Sequence, residues 1–212
     1  MKRITIILMA GALAGMMAAV QACRAPQVPL QTGDLLFVGS AGEARGAMDE
    51  AIASATGDIT HVAIVEVDES GRVAVIDATP KRGVARYPLD SLLRDNPQAV
   101  FLVKRVRDTA GVAHFVENAR RFIGEPYDMA FLPGNGAMYC SELIREAFRR
   151  QDGSYLFEEV PMNFLDPDGQ MPAFWVQSFE RQGMPVPQGV PGTNPQDISS
   201  SPLLETVEID LP

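Results

Sequence analysis

The chain has 212 residues, with 27 acidic against 18 basic side chains and a formal charge of −9 at neutral pH. That balance excludes a protein that grips nucleic acid through its net field, and solubility is reason enough for the acidity. The length suits one domain with a full-sized hydrophobic core, and no internal period suggests a repeat array.

In chain order, Lys2 and Arg3 precede an apolar run, Ile4 to Val20, that ends in small residues before Cys23. The pattern reads as a secretory signal peptide over residues 1–22. Its glycine and alanine content favours cleavage over retention as a short membrane anchor. Val20-Gln21-Ala22-Cys23 resembles the bacterial lipobox, in which an aliphatic and a small residue lead into a cysteine that is lipidated. That resemblance implies a lipid on Cys23 and an extracytoplasmic, membrane-anchored place in the cell envelope. Residues 1–22 hold two of the 18 basic residues and none of the acidic ones, so the mature chain would carry −11. Residues 23–32 read as a short tether, with order expected from Gly33 and a single domain over residues 33–212.

Asp34 to Val38 is a compact apolar run that predicts a buried strand. Ala44, Ala47, Met48, Ala51, Ile52 and Ala55 recur at helical spacing up to Gly57, which predicts a helix packed on the sheet. His61 to Val67 and Val73 to Thr79 are β-branched runs joined by the polar turn Asp68 to Arg72, so a hairpin is expected. Val84 to Tyr87 and Val100 to Val106 add strands, and the short connections imply a small antiparallel sheet. A second helical stripe runs from Val112 to Ile123. A third helix begins at Cys140 and is expected to hold Arg149 and Arg150 in its last turn. A fourth is expected over 173–181, and the proline-rich stretch from Met184 to Pro202 reads as an extended loop without helix or strand.

The chemistry centres on Cys140. With Cys23 lipidated it would have no disulfide partner, and an unpaired thiol in an oxidising compartment points to reactivity. At the start of a helix, free backbone N–H groups and the dipole favour a thiolate and could hold an oxyanion. The bland alternative is a buried structural cysteine. Of the two histidines, His114 falls opposite the apolar stripe of its helix and should face solvent. His61 opens an apolar strand and is the candidate general base. Pairing Glu66 with Arg72 in the hairpin would set Asp77 directly across from His61, as the acid that orients its ring. Glu66, the rival acid, alternates onto the other face. No CxxC, HxxxH or HExxH spacing is present, so neither a metal nor another cofactor is expected.

Five segments in order resemble the YiiX/YebB-like group of circularly permuted NlpC-type papain-like cysteine hydrolases. They are Gly33-Asp34-Leu35-Leu36-Phe37, Thr60 to Val65, Val75 to Pro80 with Gly83-Val84, Gly124-Glu125-Pro126-Tyr127-Asp128, and Tyr139 to Ile144. The Pro187-Gln188-Gly189 and Gly192-Thr193-Asn194-Pro195 turns are similar to that group as well. The resemblance implies an α+β permuted papain-like fold with Cys140 as nucleophile, His61 as base and Asp77 as orienting acid. The group more usually carries Glu at the position of Asp77, so a shorter side chain must reach the ring. Tyr127 is expected either as a wall of the active site or as an aromatic core residue. The activity implied is hydrolysis of amide bonds in cell-wall or small peptides through an acyl-enzyme. Two other readings remain open: an acyl hydrolase or acyltransferase acting on lipid-like substrates, and a lipoprotein that binds a ligand without catalysis.

Overall fold

The structure, a computed structural model, describes residues 29–40, 46–209 and 211. The expected signal peptide, Cys23 and Ala44 lie outside the described residues. In chain order the elements are β1 (Leu35–Ser40), α1 (Ala47–Thr56), β2 (Ile59–Val67), β3 (Val73–Thr79), β4 (Gly83–Pro88), α2 (Leu89–Asp95) and β5 (Ala99–Val106). They continue with α3 (Val112–Arg121), α4 (Cys140–Ala147), β6 (Val160–Pro161), α5 (Ala173–Gln182), β7 (Pro191–Gly192), α6 (Pro195–Ser199) and β8 (Leu204–Val207). The α+β expectation holds, and the principal sheet runs β4-β3-β2-β1-β5-β8 with every neighbouring pair antiparallel.

Both faces of this sheet are covered, which is why its central strands read as continuous β-branched runs and not as alternating ones. On one face Leu35, Phe37, Val62, Ile64 and Ile76 pack against Phe115 and Ala119 of α3 and Leu143 and Ile144 of α4. On the other, Leu36, Val38, Ala63, Val65 and Val75 meet Leu89 and Leu92 of α2, together with Leu30, Ile209 and Leu211 from the two ends. A third cluster gathers Phe131, Tyr139, Phe164, Trp175 and Phe179 around α5, with Ala51 of α1 against it. Helix α1 packs on the sheet at β2, as expected, and on this aromatic cluster as well.

The hairpin differs from expectation by two residues. Glu66 stands across from Ala74 and Val67 across from Val73, so that Asp77 is diagonal to His61 and not directly opposite. The turn is the cause: Asp68 N–H bonds the Arg72 carbonyl at 3.0 Å, closing the loop at Asp68 and Arg72, while the Asp68 carboxylate accepts from the backbone of Ser70 and Arg72. A shift of two preserves which face each residue takes. At the far end of β2, Val38 pairs with His61 but Gly39 with Ile59, so Thr60 is the extra residue of a bulge immediately before His61.

Four further expectations are corrected. The tether does not extend to residue 32: Leu30 packs on the sheet, and the Thr32 hydroxyl bonds the Val67 backbone. Helix α2 follows Pro88 directly, in what was expected to be a short connection between two strands. The expected 184–202 loop contains β7 and α6, because Asn194 accepts from Asp197 N–H at 2.8 Å and Pro195 occupies the first turn, where a missing N–H costs nothing. Helix α4 ends at Ala147, which leaves Arg149 and Arg150 beyond it.

Asp34 anchors the first strand. Its buried carboxylate accepts from Arg105 Nε at 2.6 Å and Nη2 at 2.8 Å, tying β1 to β5, and from Gln31 N–H at 2.8 Å. Replacing Arg105 with Met strands a buried charge and is expected to lower the unfolding free energy by about 3–5 kcal/mol. Urea denaturation of the variant measures the loss.

Candidate active site

Cys140 is the first residue of α4, with Tyr139 in extended conformation before it. The helix forms because Leu143, Ile144 and Ala147 present one fully buried face to the sheet and α3, carrying the cysteine against β2. Its first-turn N–H groups have no acceptors within the helix. Two contacts pin its start. The Ser141 hydroxyl donates to the Thr193 carbonyl at 3.1 Å, and the Thr193 N–H donates to the Tyr139 hydroxyl at 3.1 Å. Gly192 permits this close approach, since a Cβ there would lie 2.4 Å from Met162 Sδ and 2.9 Å from the Tyr139 hydroxyl.

His61 meets Cys140 across this junction. Its Nε2 lies 2.8 Å from Asp77 Oδ1, and the ring is close enough to Cys140 to feel its charge. Burial of the imidazole works to lower its pKa, but the charge of Asp77, that of Cys140 and the hydrogen bonds to both hold it well above the usual histidine value. The shorter acid thus spans the diagonal. The other Asp77 oxygen accepts a short hydrogen bond from the Tyr87 hydroxyl. Tyr87 is in turn covered by Arg82, whose guanidinium carbon lies 4.3 Å from the ring centre and whose Nη2 bonds Asp95 at 2.6 Å.

Sequence reasoning missed Tyr87. Alternation along β4 and its register with β3, in which Val75 faces Tyr87 and Asp77 faces Ala85, set Tyr87 on the face of Asp77. Glu66 is elsewhere, held by Arg86 Nε at 2.8 Å and Arg120 Nη2 at 2.7 Å. His114 is half-buried and not exposed as expected; its Nε2 lies 3.2 Å from Asn118 Nδ2, and it lines a different cleft with Arg107 and Arg150.

Tyr127 reaches the site from the turn after α3. Gly124 N–H and Val84 exchange backbone bonds with β4 through Val84 O and Glu125 O, at 2.9 and 2.8 Å. Gly83 is required there, because at its positive φ a Cβ would lie 2.4 Å from the Glu125 carbonyl. Tyr127 is half-buried and borders two spaces. One is an open cleft of about 790 Å³ that includes His61, Asp77, Asp49, Lys81 and Arg82. The other is a pocket of about 40 Å³ that includes Cys140. Burial, then the charges of Cys140 and Asp77, push the Tyr127 hydroxyl well above its ordinary pKa, so it remains a donor.

The sequence profile of a family described as "Permuted papain-like amidase enzyme, YaeF/YiiX" matches residues 29–208. A relative from Escherichia coli, "Uncharacterized protein YiiX", is 26% identical over 187 residues, spanning 86% of this chain and 88% of its own. A crystal structure titled "metalloprotein yiiX", from Escherichia coli O157:H7, superposes with a TM-score of 0.70 at 25% identity, over 87% of this chain and 99% of that one. Among the described residues no group of three or more His, Cys, Asp and Glu side chains is placed to hold a metal ion, and no helix is long and apolar enough to cross a membrane.

The raised His61 value carries a sign. Its stabilisation is fully present below the unfolded histidine pKa of about 6.5 and is lost as pH rises through the higher folded value. Asp77→Asn removes the largest raising influence, so NMR titration should show the His61 ring resonances moving to a lower pKa.

Proposed function

The chain belongs to the permuted papain-like amidase family and is a cysteine hydrolase, and on that premise we propose that Cys140 is its nucleophile, His61 its general base and Asp77 the acid that orients the ring. The observation that carries this reading is one imidazole 2.8 Å from the Asp77 carboxylate and within the charge of Cys140 at the head of a helix. With its raised pKa, His61 already holds the thiol's proton, so Sγ attacks the carbonyl carbon of an amide as a thiolate, and the resulting oxyanion faces the free N–H groups that open α4. Collapse breaks the C–N bond, and His61 returns the proton to the leaving amine. Water then attacks the thioester, with His61 again taking and giving the proton. Asp77, 2.8 Å from Nε2, keeps the ring in the orientation these transfers need.

The solved relative is titled a metalloprotein. The donors here do not fit a metal centre, because Asp77 is engaged by His61 through one oxygen and by Tyr87 through the other, and one thiol with one imidazole falls short of a three-ligand catalytic site. No step runs through a metal, and incubation with EDTA should leave hydrolysis unchanged.

The substrates we propose are amide bonds of cell-wall or small peptides, met in the envelope by a protein exported through residues 1–22 and anchored by a lipid on Cys23. The charged lining of the wide cleft, with Asp49, Lys81 and Arg82, supports a peptide-like partner over a purely apolar one. The basic, apolar and small-residue order before Cys23 supports export. Cys140→Ala and His61→Ala should each lower turnover of peptide amides by at least about a thousandfold while the protein stays folded, measured by amine release and circular dichroism. Turnover that survives Cys140→Ala overturns the assignment. Palmitate labelling in cells should follow the chain and vanish in Cys23→Ala.

A further inference from the structure

The two spaces that meet at Tyr127 divide the catalytic pair between them. Cys140 lines the 40 Å³ pocket, while His61 and Asp77 line the 790 Å³ cleft. Ile52, Thr60 and Tyr127 border both. This division has a chemical meaning for an enzyme that works through a thioester. The acyl part of the substrate stays on the sulfur after the C–N bond breaks, whereas the amine receives its proton from the imidazole and leaves on that side.

The pocket beside the sulfur is walled by Ile52, Ala55, Phe131, Met162, Phe164 and Trp175. At about 40 Å³ it has room for roughly three water-sized groups. The cleft beside the imidazole is some twenty times larger by the same figures and is lined by charged and amide side chains, among them Asp49, Lys81, Arg82, Asn96 and Gln98. The walls of the small pocket are rigid: Trp175 is buried and meets Phe131 and Phe164 edge-on, with ring centres 5.4 and 5.1 Å apart.

We propose that this hydrolase, taken as using Cys140 and His61 as above, is selective by side: it accepts a short apolar substituent on the acyl carbon and a large polar amine as leaving group. The apolar lining that would suit a fatty acyl chain is present, but it closes after a few carbons, so long-chain lipid acyl groups are excluded from the thioester. Sγ bonds the acyl carbon and the C–N bond breaks. The amine takes the proton held by His61 and departs through the wide cleft, and water releases the short acid.

The test uses the whole chain with p-nitrophenyl esters of acetate, butyrate and octanoate, and with the corresponding N-acyl tripeptide amides. The expected result is a kcat/KM for acetyl or butyryl at least about tenfold above octanoyl, the discrimination that a pocket closing on extra methylenes supplies. Ala55→Phe fills the pocket and should lower kcat/KM for butyryl more than tenfold. Ile52→Ala opens it and should move the preference towards octanoyl. Mass spectrometry of the acyl-enzyme separates the two levels of the argument. If octanoyl loads onto Cys140 as readily as acetyl, and neither variant changes the order, the pocket proposal is overturned while the nucleophile stands. If acyl groups load without Cys140, the reading beneath it falls.

Discussion

The molecule turns on one imidazole set against a carboxylate and within reach of a sulfur's charge. His61 must be close enough to the sulfur to exchange a proton and firmly enough held by Asp77 to present the same nitrogen each time. Burial alone would discharge the ring, and the neighbouring carboxylate and sulfur reverse that tendency. The geometry is assembled from two unrelated parts of the chain: a hairpin that presents His61 and Asp77 on one face, and a helix whose first residue is Cys140. The bulge at Thr60 lies at their meeting point. A regular strand would have carried its alternation straight through position 61, and an inserted residue is the usual means by which a strand end re-aims a side chain.

Strand alternation and helical spacing are local properties, and the parts of the site that depend on them were legible. Cys140 at a helix start, His61 on an apolar strand and Asp77 on the same face as His61 all follow from periods of 3.6 and 2. Register is another matter. It depends on how five turn residues close, and the Asp68 carboxylate, by capping Ser70 and Arg72, closes them two residues away from the simplest pairing. An even displacement spared the face and hence the contact, where an odd one would have sent Asp77 to the opposite side. Helices α2 and α6 were hidden for one shared reason: a proline, a residue that ends a helix from within and yet is tolerated at its start, stands immediately before α2 and at the first position of α6. Tyr87 was invisible because its partner is set by pairing across a second hairpin.

The segments that carried the family resemblance divide in the structure into chemistry and support. Asp34 of the first segment is bound to Arg105 across the sheet, far from any reaction in its role. Gly83 and Glu125, from the third and fourth segments, touch each other and so set where Tyr127 emerges. Gly192 and Thr193 of the last turn clamp Tyr139 and Ser141 on either side of Cys140. A motif in such a fold is as often a statement about backbone approach as about reactivity, which explains why no single segment identified the protein while their order did.

Glu142 shows how the fold protects the field at the head of α4. It sits at the third helical position, where a carboxylate commonly reaches back to the N-cap N–H. An ionised carboxylate there would draw on the same positive end of the helix that the sulfur and an oxyanion require. Burial, reinforced by the nearby charge of Asp128, raises its pKa to about 8. At neutral pH the side chain is therefore mostly protonated and adds no negative charge beside Cys140. The interior that makes the imidazole costly to charge is the same interior that keeps this acid neutral, and with both pKa values raised each group keeps its proton, leaving His61 charged and Glu142 neutral on either side of the sulfur. What separates them is the partner each was given: His61 faces carboxylate and sulfur, whereas Glu142 faces another carboxylate.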